Sequence, residues 1–300
     1  MVVDRKGIKM ALFQISNEKI TIQVDSLGAE LKSLKSVEQG REYMWHADPA
    51  YWKRTSPVLF PFVGGLKGGV YRTKDKEYPM GQHGFARDME FQLKSQVASE
   101  IWFRLESSEE TLAKYPYPFV LEIGYELSGC TVVVKWRVKN PAQETMYFAI
   151  GGHPAFLCPL DPGRKQTDYQ IVFAGKEQVV SSCIEDGLIN GRMKTYPLQN
   201  GSLPVTTHLF DGDALVIEHH QAQSVALAGP DGKPYLTVEF DAPLFGIWSP
   251  PGKNAPFICI EPWYGRCDSV DFSGELKERA WEQELLAGAE FAAEYKITIA

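Results

Sequence analysis

The sequence predicts an all-β protein: a large antiparallel β-sandwich with few short helices. Three observations carry that expectation. Apolar residues alternate with polar ones in short segments. β-branched and aromatic residues fill the apolar positions. Twenty-six glycines and 19 prolines punctuate the segments, as turns between strands require. Ile20, Ile22 and Val24 give the first alternation. Val132, Val134, Trp136 and Val138 give the clearest, against a partner face of Val133, Lys135, Arg137 and Lys139 that turns largely cationic. Leu236, Val238 and Phe240 repeat it, and Tyr295, Ile297 and Ile299 close the chain.

Helical signals are few. Ser107–Glu110 fits a capping box ahead of Thr111–Tyr115, and Pro116 limits any helix to a short one. Residues 275–287 contain good helix formers but only a moderate apolar stripe, so their state stays open. Neither a repeat nor a linker interrupts the 300 residues, and one domain with sheets packed face to face is the economical reading. Residues 1–11 stand apart, as an upstream start or a disordered leader before the strand pattern begins.

Composition excludes whole classes. An apolar share of 44% and a charged share of 23% describe a globular chain rather than a disordered or fibrous one. The net charge of −7, with no basic stripe, argues against nucleic acid as a partner. Neither a secretory leader nor an apolar run long enough for a membrane span is expected. The five cysteines lack metal-binding spacing and read as reduced thiols of a cytoplasmic protein. A phosphate-binding glycine loop, a dinucleotide fingerprint, a serine-nucleophile elbow and a zincin helix are all missing from the sequence.

Three local sequences stand out instead. In Gln82-His83-Gly84-Phe85-Ala86-Arg87-Asp88 a histidine lies between glycines, where backbone can turn closely around a ligand. A turn with a hydrogen-bonded histidine is the plainer reading. In Gly151-Gly152-His153-Pro154-Ala155-Phe156 the glycines clear space and the proline fixes the chain after a histidine suited to proton transfer. A tight bend with a structural histidine is the alternative. In Phe257-Ile258-Cys259-Ile260-Glu261-Pro262-Trp263-Tyr264-Gly265, strand alternation sets Cys259, Glu261 and Trp263 on one face. Burial there would raise the carboxyl pKa and suit it to acid/base work, unless an arginine simply pairs with it. The Trp263 indole offers a flat surface for a sugar ring. His219-His220 makes a poor chelate, because neighbouring strand residues face opposite ways. Val58–Val63 reads as a core segment interrupted by proline.

These segments, together with Ser56-Pro57-Val58-Leu59-Phe60-Pro61-Phe62, Leu27-Gly28-Ala29-Glu30-Leu31 and Gly288-Ala289-Glu290-Phe291, resemble the aldose 1-epimerase (galactose mutarotase) family, and within it the LacX-like branch. The resemblance runs from about residue 12 to the end, with the motifs in family order. It implies a β-sandwich with an open cleft that interconverts the α and β anomers of a free aldose without metal or cofactor. Its monosaccharide substrate would be the expected partner. Glu261 matches the base that takes the anomeric hydroxyl proton. His153 matches the acid that protonates the ring oxygen, and His83 the second active-site histidine. Asp213, or nearly as well Asp211, matches a sugar-binding aspartate. Arg54, Arg87, Phe156 and Trp263 complete the expected contacts. Acid and base are expected on opposite sides of the ring. One departure is visible: Gly65 stands where LacX-like sequences carry an arginine before the leucine. Two other readings follow. One is epimerisation of hexose 6-phosphates, using Arg54, Lys67, Arg72 and Arg87. The other is sugar binding without catalysis.

Overall fold

A computed structural model describes residues 2–3 and 9–300, with side chains from residue 11 onward. Most of the expected leader therefore lies outside the described residues. Val2–Val3 pairs with Lys9–Met10. Two large sheets dominate. One has nine strands, the other eight, and the strand pairs within both are antiparallel.

In the nine-stranded sheet, Thr131–Lys139 lies between Val120–Ser128 and Glu290–Ile299. Its clearest sequence alternation is realised directly. Val132, Val134, Trp136 and Val138 are buried, while the opposite face is held by charge, with Lys135 paired to Glu126 and Arg137 over the Trp102 ring. In the eight-stranded sheet, Phe257–Tyr264 lies between Leu244–Trp248 and Ile150–Gly152. One apolar cluster includes Val134 and Trp136 from the first sheet and Ile247, Ile258 and Ile260 from the second. The sheets thus share a core, and burial of that apolar surface is the main stabilising contribution.

Of the helical signals, one is shifted by a residue and the segment left open is not an α-helix. The one α-helix among the described residues is Glu109–Lys114. Its N-cap is Ser108, one residue later than the Ser107 box, with Thr111 as the reciprocal partner. Residues 275–287 form a 3-10 turn at Leu276–Glu278 and a strand at Gln283–Leu285. Tertiary contacts override helix propensity there. Leu276 is buried and the Arg279 guanidinium turns inward to Asp268 and Glu282. No helix among the described residues is long and apolar enough to cross a membrane.

Candidate active site

Glu261 lies in the middle of the strand Phe257–Tyr264 of the eight-stranded sheet. Ile258 and Ile260 point into the shared core. By alternation Cys259, Glu261 and Trp263 point to the other face. Gly151 and Gly246, on the two flanking strands, leave the room that Trp263 occupies. A Cβ on Gly151 would lie 2.6 Å from Trp263 Cδ1, and one on Gly246 would lie 2.5 Å from its six-membered ring. Gly151 therefore clears space for the indole rather than for a ligand.

His153 follows the strand Ile150–Gly152, and its N–H donates to the Pro57 carbonyl at 3.1 Å. The neighbouring segment is pinned by Glu30, whose Oε1 accepts from the Thr55 and Ser56 amides at 2.6 and 2.8 Å. That contact accounts for Glu30 in the Leu27–Leu31 motif. His83 comes from a loop tied to the same region, with the Phe85 and Ala86 amides both on the Phe60 carbonyl at 3.1 Å.

These elements bring the three candidates together. His153 Nε2 is 3.2 Å from Glu261 Oε2, and the His83 and His153 rings meet edge to face at 5.6 Å. All three side chains line one cavity of about 560 Å³, within the size range of small-molecule sites. Arg54, Arg87, Asp213 and Trp263 line it too. Asp211 does not. It is exposed and bonds His208 Nδ1 at 2.7 Å. The His153 imidazole and the Glu261 carboxyl thus lie side by side in the cavity.

Phe156 requires a correction. It is fully buried in the shared core and does not line the cavity. It pairs with Ile258 in the adjoining strand, and directly opposed residues of an antiparallel pair share a face, here the core face. Lys67 and Arg72 line a separate cleft, and Arg72 is paired with Glu77 at 2.6 Å. Sequence reasoning missed Trp52 and Trp248, which wall the cavity together with Lys53 and Gln82. Trp52 stacks on the His153 imidazole at 4.7 Å and 30°, and Trp248 meets that ring edge-on at 5.5 Å. The local signal was present in Trp52-Lys53-Arg54, just ahead of the Ser56–Phe62 motif.

The electrostatics follow from burial. Glu261 is 1% exposed. Burial pushes its carboxyl well above the usual range, the Asp213 charge adds to this, and the Trp263 side chain opposes it. Burial, helped by Arg87 and Arg54, pushes His153 down to about 3. Burial, then His153, Arg87 and Arg54, holds His83 well below the ordinary histidine value. His83 Nδ1 accepts from the Gly64 N–H at 3.1 Å, so the ring proton sits on Nε2. Both arginines are oriented. Arg54 Nη2 donates to Asp88 Oδ1 at 2.8 Å, and Arg87 Nη2 to the Gln82 carbonyl at 2.7 Å.

Four buried polar atoms of the cavity residues have no hydrogen-bond partner: Arg87 Nε, His153 Nδ1, Glu261 Oε2 and Trp263 Nε1. The His153–Glu261 approach is close but not aligned as a hydrogen bond. Unpaired polar groups in a buried place carry a desolvation cost that a polyhydroxylated ligand relieves. Donor atoms of His153, Cys259 and Glu261 lie within 4.8 Å of one another. As a cation site this is a poor match. Burial raises the Cys259 thiol well above its ordinary value, and Arg54 and Arg87 share the cavity.

At Gly65 the missing arginine has a structural counterpart. A Cβ there would sit 3.1 Å from the Gly187 carbonyl, so the turn between Gln178–Glu185 and Leu188–Pro197 closes over the position.

Fold and cavity together define the class: a mutarotase-like β-sandwich carrying a carboxyl–imidazole pair in a tryptophan-walled cleft. Comparison with known proteins agrees. Residues 11–298 match the model of the family described as aldose 1-epimerase, and the chain belongs to that family. Protein LacX (chromosomal) of Lactococcus lactis subsp. lactis is 34% identical over 296 residues, covering 95% of this chain and 98% of its own. A galactose mutarotase related enzyme from Lactobacillus acidophilus superposes with a TM-score of 0.92 at 34% identity, covering 97% of each chain. A galactose mutarotase-like protein from Lactobacillus casei ATCC 334 gives 0.90 at 31% identity, covering 97% of this chain and 100% of its own.

Proposed function

We propose that the protein interconverts the α and β anomers of a free aldose by acid/base ring opening within this single folded unit. The observation that carries the proposal is the 3.2 Å approach of His153 Nε2 to Glu261 Oε2 in a cavity with His83 as a fixed donor. Mutarotation exchanges protons between two oxygens bonded to the same carbon, the anomeric O1 and the ring O5. Adjacent acid and base suit that exchange.

Burial disfavours both charged forms, so the pair holds one proton between a carboxyl and an imidazole. A sugar O1–H donating to Glu261 favours the carboxylate and moves that proton toward His153. Glu261 then takes the O1 proton while His153 Nε2 gives one to O5, and the C1–O5 bond opens to the aldehyde. Rotation about C1–C2 and the same transfers in reverse close the other face. His83 Nε2–H, Asp213 and Arg87 hold hydroxyls, while Trp52, Trp248 and Trp263 offer ring faces to sugar C–H groups. The reaction needs no cofactor.

Polarimetry or NMR exchange on fresh α-glucose and α-galactose tests the proposal. The wild type is expected to exceed buffer, and Glu261→Gln to fall to it. A wild type no faster than buffer on a broad aldose panel removes the catalytic reading. A second reading, a hexose 6-phosphate as substrate, is favoured by Lys53, Arg54 and Arg87 on the cavity wall. Rates on glucose and glucose 6-phosphate measured side by side separate the two. Tight sugar binding by calorimetry without anomerisation would instead mark a binding protein.

A further inference from the structure

We infer that Asp268 is the positioning residue for His83, because it pins the Gly64–Lys67 loop whose amide selects the tautomer of that imidazole. This deepens the mutarotase reading and rests on it.

Asp268 lies four residues beyond Tyr264, where the strand carrying Glu261 ends. Each of its polar groups is engaged. Its Oδ2 accepts from the Lys67 amide at 2.9 Å. Its own N–H donates to the Gly65 carbonyl at 3.0 Å, and its carbonyl accepts from the Ile189 amide at 2.9 Å. Its Oδ1 accepts from Arg279 Nε at 2.7 Å. Arg279 is held in turn by Glu282 Oε2 at 2.6 Å and by the Arg266 carbonyl, to which Nη2 donates at 2.8 Å. The loop is thus clamped on both sides of Leu66, and the turn covering Gly65 is clamped with it.

Within the loop, Gly64 exchanges two bonds with His83. Its N–H donates to Nδ1 at 3.1 Å and its carbonyl accepts from the His83 N–H at 3.0 Å. Gly64 has little freedom to slide, since even a Cβ there would meet Cys267 N at 2.6 Å. While the clamp holds, Nδ1 is an acceptor and the ring proton points from Nε2. If the loop shifts, Nδ1 loses its donor and becomes free to carry the proton, and Nε2 then turns a lone pair where it had offered a hydrogen. Segment 257–268 therefore sets the carboxyl and, through the loop, the second imidazole from one stretch of backbone.

Lys67→Pro tests this with one deleted hydrogen bond. Leu66 has ψ 141, which suits a residue before proline. Position 67 opens a 3-10 turn, where proline is tolerated, and the Lys67 side chain is exposed. Side-chain ¹⁵N NMR, with His83 signals assigned from His83→Gln, should show the Nε2–H form in the wild type. A substantial Nδ1–H population should appear in the variant. kcat/KM should fall by about three- to tenfold, the range a single hydrogen bond implies. Asp268→Asn, which removes the charge facing Arg279, is expected to shift the tautomer in the same direction and serves if the proline variant does not fold. Wild-type tautomer in the folded variant, or a shifted tautomer with unchanged kcat/KM, overturns the inference. A wild type inactive on every aldose would remove the mutarotase reading while the tautomer measurement still decides the clamp.

Discussion

Two buried polar regions of this protein hold the same residue type differently. In one, outside the cavity lining, Glu218 accepts from Arg266 Nε at 2.9 Å and Trp281 Nε1 at 2.7 Å, with Ser182 on its other oxygen. Burial alone would raise that carboxyl, yet these three partners hold it below its ordinary value. In the cavity, Glu261 is more deeply buried (1% exposed against 7% for Glu218), has no aligned partner on Oε2, and is pushed the opposite way. The same residue type is held charged in one place and pushed toward its protonated form in the other. What separates them is partner count together with depth: the shallower carboxyl has three partners, the deeper one no aligned partner on Oε2. Of the seven unpartnered buried side-chain atoms among the described residues, four belong to the cavity, which is where a ligand would complete them.

The largest effect expected from exploiting that contrast is on rate. Glu261→Gln keeps the shape and removes the proton acceptor, so anomerisation should fall by about 10²–10⁴-fold, read by polarimetry. The same variant should gain stability at alkaline pH. A carboxyl with a raised folded pKa contributes stability below the unfolded value near 4.5 and loses it as pH rises toward the folded value. The Tm difference between Gln variant and wild type should therefore widen from pH 4 to pH 8. An unchanged difference would show that Glu261 is not held protonated.

At Glu218 the expectation inverts. Arg266→Met strands the Glu218 carboxylate, and breaking a buried pair costs about 3–5 kcal/mol, measurable by urea unfolding. Loss of activity without loss of stability would place Arg266 in the chemistry instead. A third effect concerns pH. Because His153 is pushed down to about 3, the acid limb of kcat/KM should lie well below the ordinary histidine range. The alkaline limb should follow loss of the shared proton. A rate falling through pH 6.5 would mean an unperturbed imidazole. The smallest effect is expected from Trp52→Phe, which keeps a ring over His153 and should raise KM by only a few-fold with kcat nearly unchanged, in steady-state kinetics.

Much of this was legible before any coordinates. Period-two alternation marked the strands, because half-buried sheets leave that imprint, and Ile20, Val134 and Ile297 are all fully interior as expected. The ordered motifs placed His83, His153 and Glu261 as candidates, and all three reach one cavity. Register was not legible. Phe156 sits three residues beyond His153, and only its pairing with Ile258 reveals that it faces the core. Trp248 was invisible for a similar reason. It ends the strand Leu244–Trp248, and its meeting with His153 depends on the pairing of that strand with Phe257–Tyr264. Residues 275–287 were ambiguous because the deciding term, the inward turn of Arg279 to Asp268, is a long-range ion pair with no local signature.

The Trp52 ring lying over His153 at 4.7 Å has an optical consequence. A neutral imidazole leaves indole emission largely intact, whereas an imidazolium in contact quenches it. Fluorescence of the unlabelled protein should therefore dim when a bound sugar drives the proton across, giving a built-in, real-time signal of which side of the pair holds it.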